Sequence, residues 1–473
     1  MVREELHRSI VNYSICRLPG STERRVPAFP STPVVWYRMD SPRFSVKKFI
    51  GKGCYSMVYE VASARGNDKN ELYAFKRIFL QNPSAVICAI REHHILIRLA
   101  LKDYQSPFLP TLFCSFRIHG SPVFVLRRGS GFDLFDLLSR YGRLSESDAR
   151  FYTSEIICGL EYLHAMRVVH LDLKPENILL SHSGHVLITD FDRSYDITRK
   201  QEPPNHDDFC GTPLFMAPEI ANGIEITTKA DVWSLAILMA EIVSGPVRRV
   251  SNDLNVDINR ARTGYWKIRN FQRLSKALQS FFNACLKINH KERPDISGIK
   301  NLRFYKHVDW NEVGSCSVKP PHDPFDLRCS ASHNERSVDP NDPLLLEAAY
   351  GEYMPSIKKG LQCTVDISGV RHLVTSLPNT KLLEEAGLTS EKIEELFADF
   401  EFSNPVLRSG GVANASQGVI DVDKLSLDAE EIEVHKPFEA TGKRSRIFSL
   451  NSVLRPARKS TWTYTTHLKR RWY

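Results

Sequence analysis

Apolar and polar residues begin to alternate regularly at residue 44. The alternation predicts a strand over residues 44–50, and the segment 51–59 predicts a glycine-containing turn into a second strand. A third strand is predicted over residues 71–78, at hairpin distance from the second. Residues 1–42 show no long periodic pattern and are broken by prolines at positions 19, 27, 30 and 33, so we expect an irregular N-terminal arm there.

Helical patterns dominate further along the chain. Residues 85–97 form a segment long enough for a helix, residues 123–126 predict a buried strand, and another helix opens within residues 131–135. Residues 145–148 have the composition of a capping box, and the apolar residues after it recur at helical spacing: Ala149, Tyr152, Ile156, Leu160 and Leu163. Residues 230–240 are apolar nearly all round, which predicts a buried helix.

The composition restricts the environment and the class of protein. The ten cysteines include no C-x-x-C pair and no regular spacing, so neither a zinc site nor a disulfide framework is indicated. The N-terminus carries charges where a signal peptide needs an apolar stretch, and no apolar run approaches the ~18 residues of a membrane span. We therefore expect a soluble protein of a reducing compartment, in the cytoplasm or in the nucleus.

The positive charge is concentrated at the C-terminus. The chain has a formal net charge of +8, and nine Lys or Arg with no acid follow Glu439. Because the basic residues lie in a tail and not on predicted folded elements, we expect no specific nucleic-acid binding. Residues 403–473 are predicted to be a disordered basic tail, with weak contact to anionic lipid or a role in nuclear import as open alternatives. A monomer is expected.

One stretch combines several groups suited to phosphoryl transfer. In the segment 170–177, Asp172 can accept a proton and Lys174 can neutralise phosphate. Asn177 in the same segment and Asp190, after the strand-like run 186–189, supply an amide and a carboxylate that can hold Mg²⁺.

These segments resemble the catalytic loop and the metal-binding motif of protein kinases. The glycine-containing turn, the lysine strand, the following helix and the buried helix occur in kinase order over residues 44–310. The resemblance implies an α+β fold of two lobes, a small antiparallel β lobe with one main helix and a larger, mainly α lobe. It divides the chain into an arm (1–42), a kinase domain (43–310), a C-terminal extension (311–402) and the tail (403–473).

The resemblance also implies roles for individual residues, with ATP and Mg²⁺ as cofactors. Asp172 would orient the substrate hydroxyl and accept its proton, Lys174 would steady the γ-phosphoryl, and Asn177 and Asp190 would ligate Mg²⁺. Thr212 together with Lys174 indicates Ser or Thr as the acceptor. The residues expected to bind or position ATP are Ile50, Gly51, Gly53, Val58, Ala74, Lys76, Glu92, Leu126 and Leu179.

Within the kinases, the sequence is similar to the AGC group. Residues 92–96, 209–213 and 302–310 have that group's helix pattern, activation-loop anchor and domain ending. By the same resemblance, Asp133 and Glu176 match acids that select protein substrates with basic residues upstream of the acceptor. The alternative, that these two are ordinary surface acids, stays open.

Four positions depart from the AGC pattern in a related way. Asp208 occupies the place of the phosphorylated activation-loop residue, while Leu171, Tyr195 and Cys88 occupy the three places of its basic partners. A phosphate needs such partners to order a loop. Both sides of the contact are therefore expected to be lost, and activity is predicted not to depend on activation-loop phosphorylation.

Asp192 is the departure that bears on catalysis. It stands where nearly all kinases have glycine, whose backbone reaches torsions that aspartate adopts less readily, and it adds a carboxylate beside the metal site. The alternative function is therefore a pseudokinase that acts as an allosteric or scaffold module.

The end of the C-terminal extension allows two interpretations. Residues 397–402 resemble the hydrophobic motif that docks on the small lobe of AGC kinases, with an acid in place of the phosphorylated residue. The other interpretation is an amphipathic helix capped by Ser390, with Ile393, Leu396, Phe397 and Phe400 on one face.

Overall fold

A computed structural model of the chain describes residues 43–66, 68–102, 105–198, 204, 208–245, 254–330, 349 and 380–405. The predicted N-terminal arm, most of the C-terminal extension and the basic tail from residue 406 lie outside the described residues.

The β-strands form one larger sheet and two small ones in the described part of the chain. The larger sheet has the antiparallel order β1-β2-β3-β5-β4-β10, while β6 pairs with β9 and β7 with β8. The strands are β1 Phe44–Lys52, β2 Ser56–Ser63, β3 Leu72–Ile78, β4 Leu112–Ile118, β5 Ser121–Arg127, β6 Val168–Val169, β7 Ile178–Leu180, β8 Val186–Ile188, β9 Tyr195–Asp196 and β10 Phe402–Ser403.

Helices dominate after β5. The α-helices are α1 Pro83–Ala100, α2 Leu134–Tyr141, α3 Glu146–Ala165, α4 Pro218–Ala221, α5 Lys229–Ser244, α6 Leu254–Thr263, α7 Lys276–Cys285, α8 Ile296–Lys300, α9 Trp310–Gly314, α10 Pro324–Ser330, α11 Thr380–Glu385 and α12 Ser390–Leu396. None of the described helices has the length and apolar content needed to cross a membrane. The arrangement confirms the predicted α+β fold, a small antiparallel sheet with one main helix followed by a larger helical part.

Local sequence explains where the main helices begin and which faces they bury. The Asn82 side chain accepts a hydrogen bond from the backbone N–H of Ala85, and Pro83 occupies the first turn of α1, where no donor is needed. Ser145 caps α3 in the same way, and the five apolar positions predicted for that helix are all fully buried. Helix α5 is buried on nearly all sides, as predicted.

The core places α1 between the two parts of the fold. Apolar side chains of α1, such as Ile90 and Leu96, belong to the same buried cluster as Leu160 of α3 and Ile188 of β8. A second buried cluster is formed mainly by side chains of the larger sheet, and it includes the aromatic rings of Phe44, Phe75 and Phe116. Because α1 packs on the large lobe and carries Glu92 toward the sheet, its position determines the geometry of the site between the lobes.

Candidate active site

The loop that carries Asp172 is fixed by a buried carboxylate of α5. Asp231 is fully buried and accepts hydrogen bonds from the backbone N–H groups of His170 (2.8 Å) and Leu171 (2.9 Å). Leu171 has a φ of 64°, in the left-handed region that side chains other than glycine rarely adopt. The two hydrogen bonds hold this conformation, which directs the next residue, Asp172, into the site.

Asp172 is surrounded by donors. Its Oδ1 accepts hydrogen bonds from the Thr212 hydroxyl (2.6 Å) and backbone N–H (2.8 Å). Its Oδ2 accepts from the Lys174 ammonium (2.5 Å) and the Asn177 amide (3.1 Å). Burial opposes ionisation, but the Lys174 charge and the hydrogen bonds outweigh it and lower the pKa of Asp172. The carboxylate is therefore ionised and oriented, as a proton acceptor requires.

Lys76 of β3 joins two carboxylates on different elements. Its Nζ lies 2.6 and 2.8 Å from the two carboxylate oxygens of Glu92 on α1, and 2.9 Å from Oδ1 of Asp190. Burial lowers the pKa of the Lys76 ammonium, but the carboxylates of Asp190 and Glu92 outweigh that effect and raise the pKa above its usual value. The lysine therefore stays charged where phosphate oxygens would lie.

Asn177 and Asp190 have the donor chemistry that Mg²⁺ requires. The Asn177 amide nitrogen donates to the Asp172 backbone carbonyl (2.8 Å), while its Oδ1 is buried without a hydrogen-bond partner. About a third of the Asp190 side chain is exposed (34%), so its carboxylate remains accessible from the cleft. Mg²⁺ is bound through one or two protein oxygens plus substrate phosphates, so the absence of a cluster of three His, Cys, Asp or Glu among the described residues is compatible with it. The residues present fit this ion.

The predicted glycine-rich turn lies between β1 and β2. Ile50 and Gly51 are on β1, where Gly51 pairs with Val58 of β2. The backbone N–H of Gly53 bonds to the Ser56 carbonyl (2.8 Å), and a Cβ at Gly53 would lie 2.6 Å from Ser56 Oγ. A side chain at residue 53 would therefore require the Ser56 hydroxyl to move.

The remaining predicted ATP contacts come from both lobes. Ala74 of β3 pairs directly with Leu126 of β5. Leu179 of β7 is adjacent to Gly129, at which a Cβ would lie 3.6 Å from Leu179 Cβ. The chain between β5 and α2 thus brings the large-lobe residue close to the strands of the small lobe. The binding roles of these residues stay predictions.

The acids expected to select basic substrates have structural partners. Asp133 caps α2, since its Oδ1 accepts a hydrogen bond from the Asp136 backbone N–H (2.9 Å). The Asp133 backbone N–H in turn donates to Asp136 Oδ2 (3.2 Å). Glu176 lies in the short 3₁₀ helix Pro175–Asn177 beside Asp172. A capping role thus explains Asp133 without a substrate.

The expectation that Asp208 had lost its basic partner is wrong. Arg91 of α1 donates to Asp208 Oδ1 at 2.5 Å, and both side chains are buried. The AGC pattern does not point to this pair, because Arg91 lies three positions after Cys88, the place of the basic partner in that pattern. At two of the three places where AGC kinases have basic partners, this chain has Leu171 and Tyr195, which belong to one buried hydrophobic cluster. That cluster offers a phosphate no ligands.

Asp192 fits its position without backbone strain. It does not share the positive φ of Asp190 (72°), so the torsion that favours glycine is not required here. Burial and the neighbouring Asp190 carboxylate raise the pKa of Asp192 from 3.8 to about 6. Arg193 is its nearest opposite charge, with Nε 3.8 Å from Asp192 Oδ1. At neutral pH, Asp192 therefore adds negative charge beside the metal site.

The two interpretations of residues 390–402 describe one arrangement. Helix α12 forms, although Thr389 and not Ser390 is its N-cap, and Phe397 and Phe400 are both buried. The Phe400 ring stacks 4.0 Å from the His93 ring of α1, and its carbonyl accepts from Ser115 Oγ (2.8 Å). The segment thus docks on the small lobe next to the α1 residue that follows Glu92.

Asp196 ties β9 to α1 and gives a prediction for acid stability. It accepts a hydrogen bond from His94 (2.9 Å) and forms an ion pair with Arg98, whose Nη1 lies 2.6 Å from Asp196 Oδ2. Although burial opposes ionisation, these contacts lower the pKa of Asp196 from 3.8 to about 2. A depressed carboxyl pKa stabilises the folded state above pH ~4, and this contribution disappears as pH falls toward 2. Asp196→Asn is expected to lose about 2 kcal/mol of unfolding free energy at pH 7 and almost none near pH 2.

Urea unfolding between pH 2 and pH 7 measures this effect, with Asp399→Asn at an exposed position as the matched control. Parallel pH curves for the parent and Asp196→Asn would contradict the assignment.

Residues 44–305 match the protein kinase domain. The chain belongs to the protein kinase domain family. It is 32% identical over 299 residues to human ribosomal protein S6 kinase alpha-2, covering 61% of this chain and 39% of that relative. It is 31% identical over 292 residues to the putative ribosomal protein S6 kinase alpha-1 of Caenorhabditis elegans, covering 61% of this chain and 36% of that relative.

The family assignment confirms the predicted kinase fold and the similarity to AGC-group kinases. The chain spans less than two fifths of the length of these curated relatives (39% and 36%). The similarity therefore concerns the kinase domain alone and says nothing about the substrates of this chain.

Proposed function

We propose that the chain is a protein serine/threonine kinase that transfers the γ-phosphoryl group of ATP to Ser or Thr side chains of proteins. The observation that carries the proposal is the environment of Asp172, whose carboxylate accepts from the Thr212 hydroxyl at 2.6 Å and from the Lys174 ammonium at 2.5 Å. A substrate hydroxyl that reached this carboxylate would find its proton acceptor beside a phosphate-neutralising lysine.

The residues divide the reaction between them. Lys76 holds phosphate oxygens of ATP, with Glu92 fixing the position of its ammonium. Asn177 and Asp190 would hold Mg²⁺, which when bound neutralises charge on the phosphates. Asp172 takes up the hydroxyl proton, and Lys174 stabilises charge on the transferred group. Most of the catalytic effect comes from positioning and charge neutralisation.

The proposal includes a preference for basic residues upstream of the acceptor, supported by Glu176, which lies in the catalytic loop, and by Asp133, whose backbone forms a bridge with Leu179 just after that loop. Transfer of radiolabelled phosphate from ATP to an Arg-containing Ser peptide tests both parts. The same peptide with Ala in place of Arg measures the preference, and Lys76→Met is the inactive control. Equal rates on the two peptides would refute the preference and leave the kinase activity standing.

Activity is further proposed to be independent of activation-loop phosphorylation. Asp208 already supplies a negative charge, and its partner Arg91 is in place. Mass spectrometry of residues 194–212 and phosphatase treatment test this part. A phosphate in that segment, together with loss of activity after its removal, would overturn it.

A binding module without phosphotransfer is the rival, and Asp192 is the observation that favours it. Its carboxylate sits beside Asp190 with a raised pKa and adds charge where the metal would bind. Absence of transfer by the parent protein with Mg²⁺ or Mn²⁺, restored in Asp192→Gly, would support that rival.

A further inference from the structure

Arg91 and Asp208 form a buried ion pair between α1 and the segment that precedes Thr212. Arg91 Nη2 lies 2.5 Å from Asp208 Oδ1, and the two side chains are only 3% and 6% exposed. Arg91 Nη1 also lies 3.5 Å from Cys210 Sγ. Breaking a buried ion pair leaves an unpaired buried charge, which is strongly destabilising. The pair therefore holds α1 and the segment 208–212 in one relative position.

Each member of the pair is next to a part of the active site. Arg91 directly precedes Glu92, which binds Lys76. Asp208 lies four positions before Thr212, whose hydroxyl and backbone N–H both bind Asp172. A single contact thereby connects the ATP-positioning pair with the residue that accepts the substrate proton.

We propose that Arg91 is a positioning residue that holds the segment 208–212 against α1 and so sets the orientation of Asp172, with Asp208 as its permanent acidic partner. The proposal rests on the proposed kinase function. In this proposal, the ion pair between Arg91 and Asp208 orders the segment 208–212.

A second contact shows which element the Arg91 pair controls. Helix α1 is also held by Asp196, which binds both His94 and Arg98. Loss of the Arg91 pair therefore leaves α1 attached to β9 and frees mainly the segment 208–212. Loss of the pair should therefore disturb the orientation of Thr212 and Asp172 more than it weakens ATP binding.

The experiment compares kcat and the KM for ATP across variants of the full chain. Arg91→Gln and Asp208→Asn are each expected to lower kcat about 100-fold, as misplacement of a reacting group does, with little change in the KM for ATP. Arg91→Lys keeps the charge and is expected to retain most of the parent kcat. Glu161→Gln removes the acid of another 2.5 Å ion pair, with Lys300, away from the site, and is expected to keep the parent kcat.

The double variant Arg91→Gln with Asp208→Asn completes a double-mutant cycle. Its kcat is expected to match that of either single variant, because both remove the same contact. Additive losses would overturn the proposal, as would unchanged kcat in the folded single variants.

Hydrogen–deuterium exchange separates this inference from the kinase proposal. Asp208→Asn is expected to speed exchange in residues 209–212 while α1 stays protected, whether or not the parent transfers phosphate. Unchanged exchange would refute the positioning role, and an inactive parent with the expected exchange would refute only the kinase function.

Discussion

Asp172→Asn is expected to lower kcat by about 100- to 10,000-fold, the range for loss of a general base. Asparagine keeps the shape of the side chain and can still accept one hydrogen bond, but it cannot take up a proton. The KM for ATP should change little, because the contacts of Lys76 with Glu92 and Asp190 do not involve Asp172. Steady-state phosphate transfer at saturating ATP measures the effect.

Thermal unfolding of the same variant separates chemistry from stability. Lys174 and Thr212 both lose part of their acceptor, so a moderate loss of stability is expected alongside the loss of rate. Asp309→Asn is the matched control, since Asp309 is exposed and caps α9 by accepting backbone N–H groups far along the chain from the loop. A kcat reduced less than about tenfold in Asp172→Asn would show that the carboxylate is not the proton acceptor.

Sequence reasoning was most successful where chemistry and spacing acted together. Helical spacing predicted the apolar face of α3, because a helix repeats every 3.6 residues and the large lobe buries that face completely. The resemblance assigned Lys76 and Glu92 to the ATP site, and the structure shows them in contact at 2.6 Å. These features depend on short-range patterns or on motifs in a fixed order.

Contacts between distant segments escaped prediction. Arg91 and Asp208 are 117 positions apart, and no periodicity relates them. Strand β4 was missed because buried and half-buried residues follow one another in it without strict alternation. Strand β10 has two residues, too few to show the alternation of apolar and polar residues that predicts a strand. It forms because it pairs with the edge of β4.

The largest loss of stability is expected from the buried pair of Glu219 and Arg293. The two carboxylate oxygens lie 2.6 and 2.7 Å from the guanidinium nitrogens, and the side chains are 2% and 0% exposed. Glu219→Gln leaves the Arg293 charge buried and unpaired, so the free energy of unfolding should fall by about 3–5 kcal/mol. Folded domains have only about 5–15 kcal/mol in total, so chemical denaturation should show this loss clearly.

Arg293→Met is expected to lose more than Glu219→Gln, because Arg293 also donates to three backbone carbonyls. These are the carbonyls of Lys287 (2.7 Å), Lys229 (3.0 Å) and Ile288 (3.3 Å). These hydrogen bonds, each worth about 0.5–1.5 kcal/mol, are lost in addition to the pairing of Glu219. Glu395→Gln, which breaks an exposed pair with Lys392, should cost less than about 1 kcal/mol. If burial sets the strength of the Glu219 pair, the loss of unfolding free energy should be largest in Arg293→Met, smaller in Glu219→Gln and smallest in Glu395→Gln. Losses of similar size in all three variants would show that burial does not set it.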